Sequence, residues 1–198
     1  MKSVYKITGM LILALVSNAC MKDFSEDFRE MYDASDIAAF PDPIFTNYCL
    51  EHFDSTGPDG IPDGILSESE IQKVKSIDCR GLGIRDIAGI QFFVNLDSLD
   101  CSGNSISYLP VNDLVHLKYL NCSGNQINEL DLFTTEVSSL YCCPMKDSEG
   151  NNTLKYVYIR RGQEIEYVTR DRDKADPKRI PDETMIIAIP ESKDESAL

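Results

Sequence analysis

The chain has 198 residues, with 33 Asp and Glu against 19 Lys and Arg and a formal net charge of −14 at pH 7. Such a surface repels phosphate backbones and anionic lipid headgroups, which argues against nucleic acid as a partner and against direct electrostatic docking on a membrane. The apolar run Ile7 to Val16 is ten residues long, short of the roughly 20 that a membrane-spanning helix needs, and no later segment comes closer.

Lys2 and Lys6 precede that run, and Ser17-Asn18-Ala19-Cys20 closes it with small and polar residues. This is the layout of a secretory signal over residues 1–19. Its removal would delete two lysines and no acids, taking the formal charge from −14 to −16. The cysteine directly after Ala19 resembles the lipobox of bacterial lipoproteins, which implies that Cys20 becomes an acylated N-terminus. Ser17 stands where the usual motif has Leu, and cleavage by the ordinary signal peptidase is the alternative. Several acyl chains on one cysteine would anchor stably, each buried methylene contributing about 0.8 kcal/mol. The stretch Lys22-Asp23-Phe24-Ser25-Glu26-Asp27 is similar to the acidic export tag of some surface lipoproteins. Lipid anchoring in the outer membrane at the cell surface is the expectation, with the periplasmic side as the alternative. Residues 20–40 are expected to form an acidic tether.

Pro41-Asp42-Pro43 breaks the chain, and Ile44–Phe53 and Ser67–Val74 read as short helices around an acidic loop. Together residues 41–73 are expected to be a helical N-terminal cap. The loop Asp59 to Glu70 resembles a twelve-residue EF-hand loop, with acids at the first, fifth and last places, Gly64 at the sixth and Ser67 at the ninth. That resemblance implies calcium on Asp59, Asp63 and Glu70, although Ile61 occupies a place that should supply an oxygen. The competing reading is a plain connection in which Ser67 and Glu70 form a capping box for the second helix. No other cofactor is expected.

An internal repeat follows. Leu96, Leu99, Cys101, Ser102, Gly103, Asn104 and Ile106 recur as Leu117, Leu120, Cys122, Ser123, Gly124, Asn125 and Ile127, at a period of 21. Looser copies flank them: Val74, Ile77, Cys79, Leu82 and Ile84 before, Val137, Leu140 and Cys142 after, and an irregular fifth at Leu154, Val157, Ile159 and Ile165. The pattern L-x-x-L-x-C-x-x-N-x-I resembles the leucine-rich repeat in its cysteine form, as in internalin-like bacterial surface lipoproteins. The resemblance implies an α/β fold, a short leucine-rich-repeat solenoid of about 4–5 turns over residues 74–168 with parallel strands on its concave face. Alternation within each short strand would turn Leu99 and Cys101 inward and Asp100 outward. One turn cannot bury its apolar side alone, so neighbours stacked at about 4.8 Å would stabilise one another. Asn104 and Asn125 sit where the chain leaves the strand, and an amide there can bond backbone groups of adjacent turns. Gly103 and Gly124 fit a tight bend.

Cys79, Cys101, Cys122 and Cys142 fall 22, 21 and 20 residues apart, so they are expected to form an inward column of free thiols acting as small hydrophobes. Cys143 is expected to face out. The two histidines, His52 and His116, fall outside the column, which disfavours zinc, and nothing places His116 against Cys143 for nucleophilic catalysis. Tyr156–Ile159, Ile165–Val168 and Met185–Ile189 alternate like strands; residues 169–198 are expected to hold a C-terminal cap and a disordered tail.

The outward strand residues would then form one face: Asp78, Asp100, Asn121, Tyr141 and Tyr158 in a column, flanked by Ser76, Ser98, Tyr119, Ser139 and Tyr156. Acidic early turns and tyrosine-rich later ones suit a protein or peptide partner. Glycan binding, a structural subunit of an outer-membrane complex and a merely solvated face are the alternatives. No catalytic residue is expected.

Overall fold

The computed structural model describes residues 40–55, 62–165 and 184–189, all within the unit Ala34–Leu198. The expected signal segment, Cys20, nearly all of the tether, and Asp59 lie outside the described residues. In chain order come helix α1 (Pro43–Phe53), the one-turn helix α2 (Glu68–Ile71), strand β1 (Ser76–Asp78), a 3-10 turn at Ile90–Phe92, β2 (Ser98–Asp100), β3 (Tyr119–Asn121), β4 (Glu129–Asp131), β5 (Ser139–Tyr141), β6 (Tyr156–Arg160) and β7 (Met185–Ile189). The architecture is mixed α/β. Two sheets run β1-β2-β3-β5 and β4-β6-β7, and every strand pair in them is parallel.

In the first sheet Ile77, Leu99, Leu120 and Leu140 lie side by side in register, and all four are buried. Apolar positions one period apart repeat this along the rest of each circuit: Ile84, Ile106 and Ile127; Ile87, Leu109 and Leu130; Ile90, Val111 and Leu132 are all buried. Thr135 occupies an otherwise apolar slot, and its hydroxyl donates to the Leu132 carbonyl at 2.9 Å. Strands β1, β2 and β3 are only three residues long, because a Gly-containing corner follows each almost at once. At that corner the Asn104 amide is enclosed. Its Oδ1 accepts from the backbone N–H of Leu82, Gly83 and Ile84 at 2.9–3.1 Å. Its Nδ2 donates to the carbonyls of Cys79 and Cys101 at 2.9 Å. Asn125 does the same one circuit on, accepting from Ile106 at 3.0 Å and donating to Cys101 and Cys122 at 2.9 Å. Each amide thus ties two circuits together while satisfying backbone groups that water cannot reach. Gly124, with φ of +70°, approaches the previous corner so closely that a Cβ would stand 3.2 Å from the Gly103 nitrogen.

Helix α1 starts where Asp42 caps it, accepting from Ile44 and Phe45 N–H at 2.8 and 3.3 Å, with Pro43 in the first turn. The second oxygen of the same carboxylate accepts from Arg85 and Asp86 N–H at 2.8 and 3.3 Å, so one side chain fastens the helix to the first circuit. Phe45 and Cys49 bury the inner face of α1, and the Tyr48 hydroxyl accepts from the Asp78 N–H at 3.1 Å, occupying a donor on the outer edge of β1. Phe40, buried beside this helix, lies 5.1 Å from Phe45 and 6.1 Å from Phe93 between ring centroids. Helix α2 is shorter than the expected Ser67–Val74, because bonds from Lys73 to Glu70 and from Val74 to Ile71 tighten its end and turn Val74 into the core.

The irregular fifth circuit differs most from expectation. Leu154, Val157, Ile159 and Ile165 are buried, but β6 stacks on β4, with Val157 beside Leu130, and not on β5. The alternating Val157-Tyr158-Ile159 matches Leu130-Asp131-Leu132, a second strand site within the preceding circuit, and the Leu132 N–H donates to the Tyr158 carbonyl at 2.9 Å. Leu82 is also not in the core: it occupies the corner slot that Asn104 and Asn125 fill elsewhere, and is exposed.

Asn104→Ala is expected to cost about 3 kcal/mol or more, since each stranded buried backbone group costs about 1–3 kcal/mol. The exposed Asn128→Ala should leave the urea midpoint unchanged. A loss for Asn104→Ala no larger than that of the control would mean that water replaces the amide. Asp42 yields a pH signature. Burial pushes its carboxyl up, but the four backbone donors, Arg85 first, outweigh burial and hold it below the ordinary aspartate value. Its contribution is therefore present above about pH 4 and lost as pH falls through the depressed folded value. Asp42→Ala should cost about 1–2 kcal/mol at neutral pH and flatten the fall in stability below about pH 4. Parallel urea-midpoint profiles for the two proteins would exclude this role.

Candidate functional site

The outer face of the first sheet carries two columns flanking the buried row: Ser76, Ser98, Tyr119 and Ser139, and Asp78, Asp100, Asn121 and Tyr141. The structure brings together the residues expected there, with two exceptions described below. Tyr119 and Tyr141 lie on adjacent strands in neighbouring columns, their ring centroids 5.7 Å apart and tilted by 45°. Both are half-buried. The Tyr119 phenol is pushed above its ordinary value, by burial first and by the charge of Asp100 next, so at neutral pH it presents a hydroxyl donor.

The acidic end of this face is largely neutralised. Arg80 pairs in a two-point contact with Asp78 and reaches Asp100 at 3.9 Å. Asp100 is buried; its Oδ1 accepts from the Ser102 N–H and hydroxyl at 3.0 and 2.6 Å, and its Oδ2 accepts from Asn121 Nδ2 at 3.0 Å. Asn121 Oδ1 in turn accepts from the Ser123 hydroxyl at 2.7 Å. Asp100 therefore orders the face and does not offer a free carboxylate, which corrects the expectation that it pairs with a basic partner. The sequence signal was Arg80, standing where later circuits carry Ser102 and Ser123.

Tyr156 and Tyr158 do not continue these columns. They align with Glu129 and Asp131 of β4, and beyond them with Met185 and Ile187 of β7. The second sheet is thus a separate outer face. Sequence reasoning missed β4, although Leu130-Asp131-Leu132 carries the strand alternation.

Of the proposed calcium ligands, Asp63 is exposed, its Oδ1 accepting from the Ile65 N–H at 2.9 Å. Glu70 is buried. Its Oε2 accepts from the Ser67 N–H and hydroxyl at 2.9 and 2.7 Å, and its Oε1 from the Ser55 N–H at 2.6 Å, in a capping box that also pins the end of the loop. Asp54, unremarked in the sequence, accepts from Gly64 N–H at 2.7 Å. Among the described residues no group of three or more His, Cys, Asp or Glu is disposed to hold a metal.

The cysteine column is present and longer than expected. Cys79, Cys101, Cys122 and Cys142 are buried free thiols, and so are Cys49 and Cys143. Burial opposes ionisation of Cys49, Cys101 and Cys122, and each thiol would meet the charge of a neighbour in the series Cys49, Cys79, Cys101, Cys122, Cys142 and Cys143 if that neighbour were ionised. Cys143 was expected to face out. The repeat slips by one residue here: the Gly124 N–H donates to the Pro144 carbonyl, one place further along than the equivalent bond from Gly103 to Ser123, and Cys143 turns into the core. Burial pushes the Cys79 thiol up to about 12 and the Cys101 and Cys122 thiols upward as well.

No protein-family profile matches the chain, and no curated protein does. Solved structures similar to it include an internalin of Listeria monocytogenes, at 20% identity over 61% of this chain and 44% of that one, with a TM-score of 0.40. The CBM51-2 and INT domains of Clostridium perfringens ZmpB, in complex with GlcNAc, match at 19% identity over 65% and 27%, with a TM-score of 0.39. The functional domain of InlJ from Listeria monocytogenes, which includes a cysteine ladder, matches at 21% identity over 61% and 36%, with a TM-score of 0.35. The chain thus spans less than two thirds of the length of each. Among the described residues, no helix is long and apolar enough to cross a membrane.

A thiol titrating near 12 is ionised to only about one part in ten thousand at pH 8. In a Cys20→Ser variant, a disulfide reagent at pH 8 is expected to leave all six described thiols unmodified in the folded protein and to titrate all six after unfolding. Rapid labelling of any of them in the native state would show that the column is open to solvent.

Proposed function

We propose that this chain is a non-catalytic, lipid-anchored cell-surface protein that holds a protein or peptide partner on the concave face of a short leucine-rich-repeat solenoid. In this reading the circuits from residue 74 onward make about 4–5 turns, and residues 41–73 are the N-terminal cap. The cap assignment is supported by α1, whose Asp42, Tyr48 and Cys49 engage the first circuit. The observation that carries the binding proposal is the Tyr119–Tyr141 pair, two half-buried rings 5.7 Å apart on in-register strands. Next to them Asp100, Asn121, Ser102 and Ser123 are held by one another. Rigid aromatic anchors beside an ordered polar rim present contact area at low entropic cost. Anchoring at Cys20 rests on the sequence motif. Calcium on Asp59, Asp63 and Glu70 is a subsidiary proposal, in which the ion competes with the bonds that Glu70 makes to Ser55 and Ser67.

One crosslinking experiment on intact cells tests these together. The wild type should capture a partner that Tyr119→Ala/Tyr141→Ala loses by tenfold or more, since loss of paired aromatic anchors typically costs about 2 kcal/mol or more. Cys20→Ala should leave the membrane fraction, and capture should fall in the presence of a calcium chelator only if the ion orders the cap. An unchanged partner set in the tyrosine variant would remove the concave-face reading and favour a spacer role through the caps. Competition by free oligosaccharide would favour a glycan.

A further inference from the structure

The outer face of the second sheet is built differently from the first, because each of its three strands contributes one kind of side chain. Across β4, β6 and β7 each rung reads acid, ring, aliphatic: Glu129, Tyr156 and Met185, then Asp131, Tyr158 and Ile187. The Tyr156 and Tyr158 rings lie 6.2 Å apart with only 31° between their planes, so they lean the same way. Tyr108 stands 21 residues before Glu129, in the equivalent slot of the preceding circuit, close enough for Asp131 and Asp113 to act on its phenol. Of the seven large apolar or aromatic side chains exposed among the described residues, three are on this face: Tyr108 at 70%, Met185 at 58% and Tyr156 at 36%.

Charge does not distinguish this face. Arg160 is the next outward residue of β6 after Tyr158 and stands beside Ile189, so a cation and carboxylates share the surface. The order of the columns distinguishes it. The face of a phenol ring carries negative charge density and attracts the C–H groups of a saturated ring laid over it. Carboxylate oxygens only accept hydrogen bonds, so a ligand beside them must bring donors. Met185 and Ile187 reward only the burial of an apolar group. A sugar meets the first two demands, with C–H groups on its ring face and hydroxyl donors around its rim. An acetamido substituent meets the third, since it adds a methyl for the aliphatic column and an N–H for the acids.

We propose that the second sheet binds an oligosaccharide of N-acetylhexosamine units, with Tyr156 and Tyr158 each carrying one sugar ring, Glu129 and Asp131 accepting from hydroxyl and amide donors, and Met185 and Ile187 receiving an acetyl methyl. In a chitin-like chain successive units are turned over. Their acetamido groups therefore fall alternately on the acid side and the aliphatic side of the ring file. The site is separate from the Tyr119–Tyr141 face, so either reading stands if the other fails.

The test uses the full-length protein in detergent and chitohexaose, the hexamer of N-acetylglucosamine, followed by isothermal titration calorimetry. Cellohexaose, which has the same linkage and no acetamido groups, is the comparison. Chitohexaose should bind about tenfold more tightly than cellohexaose, and its affinity should not change as salt is raised, because the ligand is neutral. Tyr156→Ala/Tyr158→Ala should weaken it about tenfold. Met185→Ser, at an exposed position, should narrow the preference between the two sugars without abolishing binding. As a control, Tyr119→Ala/Tyr141→Ala on the first sheet should bind chitohexaose as the wild type does. Circular dichroism checks that each variant is folded. The proposal is overturned if chitohexaose does not bind at millimolar concentration, if the two sugars bind equally, or if the Tyr156/Tyr158 variant binds as the wild type does. An unchanged preference in Met185→Ser would overturn it too. So would affinity that falls with salt, which would point to a charged protein segment instead.

Discussion

Parallel strands satisfy their backbone groups only while they remain strands; the difficulty lies at the corner where each circuit leaves the sheet inside the core. Here the answer is a side-chain amide. Asn104 supplies an acceptor to three N–H groups of the preceding circuit and donors to carbonyls of both circuits, and Asn125 repeats the donor arrangement. An ionised Asp has no donor and Ser has one O–H where two carbonyls must be met, so neither can replace the amide here. The rest of the repeat follows from that corner. The carbonyls that the amide must reach belong to Cys79, Cys101 and Cys122, so the side chains there must be apolar and small. The glycines must then fold back closely, and at Gly124 there is no room for a Cβ without displacing the Gly103 backbone.

The same constraint shows how the array ends. In the first circuit the corner slot is filled by Leu82, which points to solvent, because there is no earlier circuit to bond. Helix α1 takes over instead, through the Asp42 carboxylate on Arg85 and Asp86, the Tyr48 hydroxyl on the edge of β1 and a sixth thiol, Cys49, placed against Cys79. At the other end Met145 holds the slot and is buried. It can fill the space but cannot join carbonyls across circuits. Beyond it the chain inserts the loop around Lys146 to Asn152 and resumes on the other ladder.

The regular circuits were legible because period, apolar slots and asparagine coincide in the sequence. The register of Ser76, Ser98, Tyr119 and Ser139 follows from counting alone. Three features were not legible, each for a physical reason. Tyr156 and Tyr158 were assigned to the wrong ladder because Val157-Tyr158-Ile159 alternates like either strand site of the repeat, and alternation does not distinguish them. Cys143 was placed outside because a one-residue slip reverses which way a side chain faces. Asp100 was read as a free acid because its neutralising partner, Arg80, comes from the preceding circuit, and a sequence read along one circuit does not reveal it.

The contrast between the two faces follows from this same stacking. Side chains in equivalent slots of successive circuits become neighbours, so the charge of a face is set by what stands one period away. On the first sheet that distance brings Arg80 to Asp100, and Asn121 to the same carboxylate, so the acids there are locked into the scaffold. On the second it brings tyrosine to carboxylate: Glu129 lies beside Tyr156 and Asp131 beside Tyr158, with Tyr108 one circuit earlier. The two sheets thereby carry different outward chemistry, acids tied to Arg80 and Asn121 on the first and carboxylates beside phenol rings on the second.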